Sequence, residues 1–415
     1  MTNTSADIAR AKAYAMPLAD INVSDPSLFE HDTVWPYFER LRREDPIHYC
    51  PQSRFGAYWS VVKYKDIMHV DTNHGTFSSE ARLGGPTLID GRESFRRDRF
   101  MAMDPPKHTI QRKTVTPVLG PDNVAAMEIT IRRRIGEILD DLPRNTQFDW
   151  VDRVSIEITT QTLATLFDFP WEERRKLTRW SNAAMAIPES GVVASEAERE
   201  AELLECYAYF KALWDDRLSK PLNNDFISVM AHSKDMRDMP PMEFLGNVIL
   251  LIVGGNDTTR NSMSAGVYAL NTFPAEYAKL KSNADLIPNM VSEIIRWQTP
   301  LSHMRRTATA DTELRGKQIR KGDKVVMWYI SGNRDDEMIE RPDDFIIDRP
   351  RARQHLSFGF GIHRCLGNRL AEMQLRVLWE EITRRGLTVT VVGEPRRTHS
   401  NFIHGFEELP VVVSA

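Results

Sequence analysis

The segment FGFGIHRCLG, Phe358–Gly367, holds one of only three cysteines in a chain of 415 residues. Beyond Cys365 the sequence reads LGNRLAEMQLRVLWEEITRRG, in which Leu370, Met373, Val377 and Leu378 recur at helical spacing. Arg384 and Arg385 before Gly386 form a helix-end signal. Cys365 therefore stands at, or just before, a helix N-terminus. There the macrodipole and unpaired N–H groups favour an anion, so a thiolate is expected. Gly359, Gly361 and Gly367 let the backbone turn tightly and let a flat group approach it closely.

Three roles compete for Cys365. A buried structural cysteine is the commonest fate of a lone one. A nucleophile would need a base, and His363 is two residues away, but such partners usually lie far apart in sequence. A ligand to haem iron explains more of the segment, because it requires an anionic sulfur, a close-packed glycine loop and a helix behind it.

With 41% hydrophobic and 27% charged residues, the composition is that of a water-soluble globular protein. A net charge of -4 argues against a general nucleic-acid binder. The start, MTNTSADIARAKAYAMPLAD, lacks the apolar core of a signal peptide. The longest apolar stretch, VILLIV at Val248–Val253, is too short to cross a bilayer. A cytoplasmic protein is expected. Cys50, Cys206 and Cys365 are too scattered for a disulfide framework or a four-cysteine zinc site.

Without repeats or a Ser/Gly linker, residues 1–415 read as one domain. Helical periodicity dominates over 123–142, 196–218, 241–270 and 288–297. Strand signals are fewer: AYWSVVKY, KVVMWYI, LTVTVV and LPVVV. The expectation is a mainly α protein with small β-sheets. Two irregular segments, 77–103 and 186–194, have the length of lids or binding loops.

FGFGIHRCLG resembles the haem-binding signature of cytochromes P450, matching at Phe358, Gly359, Gly361, the basic residue His363, Cys365 and Gly367. Two upstream matches, in the same order as in that family, extend the resemblance over most of the chain. EIIR sets Glu293 and Arg296 on one helix face; alone, such a pair is a solvated one worth about 0.3 to 0.5 kcal/mol. VGGNDTTRNSMS, Val253–Ser264, puts poor helix formers in the middle of a helical segment.

The resemblance implies the P450 fold, a triangular helical body around a buried haem b, with the Cys365 thiolate as axial ligand. It implies that Glu293, Arg296 and Arg349 brace the haem-binding core. Gly254 and Gly255 would admit porphyrin and dioxygen. Asp257 and Thr258 would deliver protons for cleavage of the O–O bond, the hydroxyl holding an ordered water and the carboxylate relaying protons from solvent. His108 and Arg112 of DPPKHTIQRK, His363, and Arg306 of HMRRTA in preference to Arg305 would meet the propionates. His355 has no counterpart and reads as a core histidine.

The implied activity is insertion of one oxygen atom of O2 into an unactivated C–H bond. GGNDTTRNSMS and HMRRTATADTEL are similar to the bacterial enzymes that hydroxylate the terminal carbon of medium-chain alkanes and fatty acids, although sterol, branched-lipid and terpene hydroxylases share part of the pattern. Leu250, Val253, Gly254, Leu301, Phe402 and Ile403 would then face the substrate, and apolar side chains suit a hydrocarbon. Electrons would come from a ferredoxin and its NAD(P)H-dependent reductase, docking on the proximal side. There Arg349, Arg351, Arg353, Arg364, Arg369 and Arg376 stand against one acid, Glu372. A monomer is expected. A haem sensor or electron carrier, or a peroxide-driven enzyme, would need the cysteine loop but not Asp257 and Thr258.

Overall fold

Pro241 opens the longest helix, Pro241–Thr272, at a position where its missing N–H costs nothing, and Pro274 closes it soon after Thr272. The structure, a computed structural model, describes residues 5–90, 93–186 and 190–414. This helix is buried along most of its length and is the axis of the molecule. Around it pack helices Glu157–Leu166, Arg175–Met185, Glu196–Leu218, Ile287–Gln298 and Asn368–Arg384. A Cβ added at Gly266 would stand 2.9 Å from Ile294 Cδ1 and 3.1 Å from Trp379 Nε1, so the absence of a side chain brings three helices together.

The poor helix formers at 254–264 do not break the axis. Thr258, Ser262 and Ser264 donate hydroxyl hydrogen bonds to carbonyls four residues back, and Asn261 does the same with its amide. Local side-chain bonding and a buried face offset the propensity.

A five-stranded sheet runs in the order Ile47–Cys50, Tyr58–Val61, Lys324–Met327, Met304–Ala308, Phe77–Ser78. Only the Tyr58–Val61 and Lys324–Met327 pair is parallel, with Trp59 opposite Val325. Strand Pro410–Ser414 lies between Gln147–Asp149 and Thr388–Val391 in a second sheet. The mainly helical expectation holds, with adjusted ends. KVVMWYI is a strand only to Met327; Tyr329–Gly332 turns into a short helix. Its apolar run continues because Trp328 and Ile330 are buried, and a short apolar run cannot by itself separate strand from helix. AYWSVVKY likewise stops at Val61, and a helix begins at Tyr64, whose N–H binds Asp335 Oδ2.

The described residues of segment 77–103 hold a two-residue strand and three single-turn helices, and Phe100 bonds to the axis. Of the second expected loop, 187–189 lie outside the described residues. No described helix is long and apolar enough to cross a membrane.

Candidate functional site

The cysteine loop is held from beneath by its own backbone and by one acid. Cys365 N–H donates to Phe358 O at 2.7 Å, and Gly359 N–H to Leu356 O at 2.7 Å. Gly359 and Gly361 both take φ of +64°, where other residues are strained. At Gly361 an added Cβ would also stand 2.7 Å from Asp71 O. Asp71, on helix Tyr64–Thr72, is buried and accepts from Phe360 N at 2.8 Å, Tyr329 OH at 2.9 Å and Arg306 Nη2 at 2.7 Å. Sequence reading missed Asp71, because nothing local to it reports the loop it meets 289 residues later.

The sulfur of Cys365 faces a central cavity of about 260 Å³. Burial pushes the thiol pKa up, while the Gly367 N–H and the charge of Arg112 act against that rise.

From the axis, Leu250, Val253, Gly254, Gly255 and Thr258 line this cavity; Leu301, Phe402 and Ile403 close another wall. Leu301 and Ile403 form a β-bridge, and Ser302 N–H donates to Phe402 O at 2.9 Å. Phe358, Gly359, Arg112, Arg306 and His363 also reach it. The two glycines of the axis differ. A Cβ on Gly254 would meet nothing within 4 Å, whereas one on Gly255 would strike Leu163 Cδ2 at 2.7 Å. Gly255 therefore serves helix packing as well as the cavity.

The polar rim has the features of a site for a dianionic flat ligand. His108 packs edge-on against His363 with ring centroids 4.4 Å apart, and both nitrogens of each ring are buried without partners. Arg306 Nε is also unpartnered. Burial pushes His108 down to about 4 and His363 down to about 2. Such orphaned donors are costly unless an acceptor arrives. The two propionates of a haem fit them, and Cys365 fits its iron. Arg112 lines the cavity while donating to Arg364 O. Arg305, the alternative to Arg306, turns away to Asp90 and Leu83 O. His355 is buried outside the cavity lining and accepts from Ser357 N–H at 3.2 Å.

Asp257 and Thr258 are neighbours in sequence but do not share a face. Thr258 lines the cavity, and its hydroxyl donates to Gly254 O at 3.0 Å. Asp257 is buried away from the cavity lining, accepting from Ser181 Oγ at 2.9 Å and pairing with Arg260 Nη2 at 2.8 Å. Arg260 in turn reaches Asn182 Oδ1 at 3.0 Å. Consecutive helical residues point apart, so the Asp257 carboxylate is tied to helix Arg175–Met185 while the Thr258 hydroxyl is on the cavity side.

Glu293 receives Arg296 through two contacts of 2.8 Å, Arg349 Nε at 3.0 Å and the Ile346 N–H at 2.9 Å. The arginines spend their other donors on carbonyls of Asn333, Pro342, Asp344 and Arg341. This pair is not the solvated ion pair that the spacing alone suggests. Of the remaining basic residues, Arg376 is held by Glu128 and Glu380, while Arg351, Arg353, Arg364 and Arg369 are exposed.

Comparison with known proteins agrees with this geometry. The family model described as Cytochrome P450 matches residues 192–385. Linalool 8-monooxygenase of Pseudomonas putida is 33% identical, covering 94% of this chain and 98% of its own. Methyl-branched lipid omega-hydroxylase of Mycobacterium tuberculosis is 31% identical over 96% of each chain. Among solved structures, CYP153D17 from Sphingomonas sp. PAMC 26605 superposes with a TM-score of 0.90 at 52% identity, covering 95% of this chain and 99% of that one.

Proposed function

The chain belongs to the cytochrome P450 monooxygenases, and from that premise we propose that it hydroxylates the terminal carbon of a medium-chain alkane or fatty acid. The observation that carries this reading is the apolar wall of Leu250, Val253, Leu301, Phe402 and Ile403 on the same cavity as the Cys365 sulfur. A methyl-branched lipid omega-hydroxylase among its relatives supports it.

Cys365 would bind haem b through sulfur, and His108, His363, Arg306 and Arg112 would meet its propionates. When bound, the haem supplies dioxygen binding and reduction. One oxygen atom enters the C–H bond as an alcohol, and the other leaves as water with two protons and two electrons. The electrons would come from a reduced ferredoxin, docked over the exposed Arg353, Arg364 and Arg369, and its reductase would be shared in the cytoplasm. Thr258 would hold an ordered water in the cavity by exchanging its bond to Gly254 O. Asp257 would supply protons only after rotating off Ser181 and Arg260.

Reduced protein with carbon monoxide should absorb near roughly 450 nm if a thiolate ligates the iron. The haem-loaded ferric protein should show a spectral shift on titration with octane or dodecanoate, and turnover should yield the primary alcohol. A response to linalool alone or to a sterol alone would overturn the linear-chain reading. The terpenoid reading is the second choice and rests on the 33% identity to linalool 8-monooxygenase.

A further inference from the structure

Segment 77–103 contributes two arginines, Arg97 and Arg99, to the lining of the same cavity, beside Phe100 and Met101. Neither belongs to the propionate rim: the cations acting most strongly on His108 and His363 include Arg112 and Arg306, and not these two. Arg97 Nη1 is out of contact with solvent and has no hydrogen-bond partner. Among the described residues, Arg99 donates to a backbone carbonyl alone, Arg97 O at 3.1 Å. Of the nearby acids, Asp98 pairs with Arg96 at 3.2 Å and Glu196 with Arg199 at 3.0 Å. Burial and the charges of Arg99 and Arg199 push Arg97 down to about 9, although Glu196 and Glu200 favour its cation. Burial also pushes Arg99 down. Two cations in an apolar wall, short of counter-charge, are poorly placed unless an anion joins them.

Their position along the axis gives the distance. A Cβ on Gly246 would stand 2.1 Å from Asp98 O, and Phe100 N–H donates to Asn247 Oδ1 at 3.0 Å, so this segment lies against the axis at Gly246 and Asn247. From Gly246 to Gly254 and Thr258, which face the oxidising end, the helix advances about 12 to 18 Å. An extended chain advances about 1.2 Å per bond, so the span corresponds to roughly ten to fifteen bonds.

We propose that Arg97 and Arg99 form an anion subsite that takes the carboxylate of a fatty acid of roughly ten to fifteen carbons and leaves its methyl end at the Cys365 end of the cavity. The planar guanidinium fork suits a carboxylate, and the apolar wall between suits the chain. The proposal rests on the terminal-hydroxylase reading and decides within it for acids over alkanes.

Spectral-shift titrations of the haem-loaded protein with dodecanoate, methyl dodecanoate and dodecane test it. Dodecanoate should bind at least about tenfold more tightly than its methyl ester, with the advantage shrinking at high salt. In the Arg97→Gln/Arg99→Gln double variant the acid-to-ester ratio should fall toward one. Equal affinity for acid and ester in the parent, which needs no variant to fold, overturns the subsite, as does a ratio unchanged in the double variant. If dodecane binds and is oxidised at its terminal carbon while the acid shows no advantage, the subsite falls and the terminal-hydroxylase reading stands. If neither dodecane nor dodecanoate perturbs the spectrum, both fall.

Discussion

Two clusters of buried charge differ in how they are completed. Glu293, Arg296 and Arg349 form a closed set, in which the carboxylate is ringed by two guanidinium groups and a backbone N–H, and the remaining donors find carbonyls. His108, His363 and Arg306 are as well shielded from water, yet five of their nitrogens have no partner. Arg306 already has Asp71 as its counter-charge, but the two histidine rings have no partner at either nitrogen. The first cluster is therefore architecture, complete in the chain alone, and the second is a receptor, complete only when anions arrive.

The largest effect should come from breaking the closed set. Glu293→Gln leaves two buried arginines without their counter-charge, and removing one partner of a buried pair costs about 3 to 5 kcal/mol. Against a total stability of about 5 to 15 kcal/mol, urea denaturation should show a much lower midpoint. A midpoint within error of the parent would mean the cluster is not closed as described.

The open set should behave in the opposite way. His363→Phe removes an orphaned, desolvated ring, so the haem-free protein should be no less stable than the parent. The loss should fall on the ligand: a charge-assisted hydrogen bond of about 1.5 to 3 kcal/mol corresponds to roughly 10- to 100-fold weaker haem retention. The rate of haem transfer to a scavenging globin measures it. Unchanged retention would remove His363 from the propionate set.

A third kind of buried group is neither paired with a charge nor open to a ligand. His303 Nδ1–H donates to Asn401 O, 3.0 Å away, with its other nitrogen unpartnered, and burial pushes it down to about 4. A histidine near 6.5 when unfolded and near 4 when folded binds more protons unfolded as the pH falls. Its contribution is therefore present above about pH 6.5 and is lost progressively toward pH 4. Between pH 7 and pH 5 the loss is about 2 kcal/mol. The difference in urea midpoints at those two pH values should narrow in His303→Phe.

The open cluster was legible in sequence in an uneven way. Cys365, His363 and the helix behind them lie within one segment, so spacing alone brought them together. The fold was legible where amphipathic periodicity was strong, as in Glu196–Leu218, whose ends match the sequence reading. Helix Glu157–Leu166 was missed because its threonines are poor helix formers, and only in the fold do Thr159 and Thr162 bond carbonyls four residues back while facing the core. Asp71 was missed for another reason: its role is set by partners far along the chain, and it stands in no motif. The direction of Asp257 was also beyond the sequence, since it depends on Ser181 and on the rotation of the axis.

That direction yields the smallest of the expected effects. Thr258 already satisfies its hydroxyl within the axis, so Thr258→Ala leaves a carbonyl, Gly254 O, open toward the cavity without disturbing packing. Haem retention and the band near roughly 450 nm should be unchanged. A neutral hydroxyl bond is worth about 0.5 to 1.5 kcal/mol, so the partition between product and hydrogen peroxide should shift by a few-fold to about tenfold. Peroxide formed per electron pair consumed measures that partition. Tightly coupled turnover in the alanine variant would remove Thr258 from the proton path. The carboxylate would then need another route into the cavity than the hydroxyl beside it in sequence.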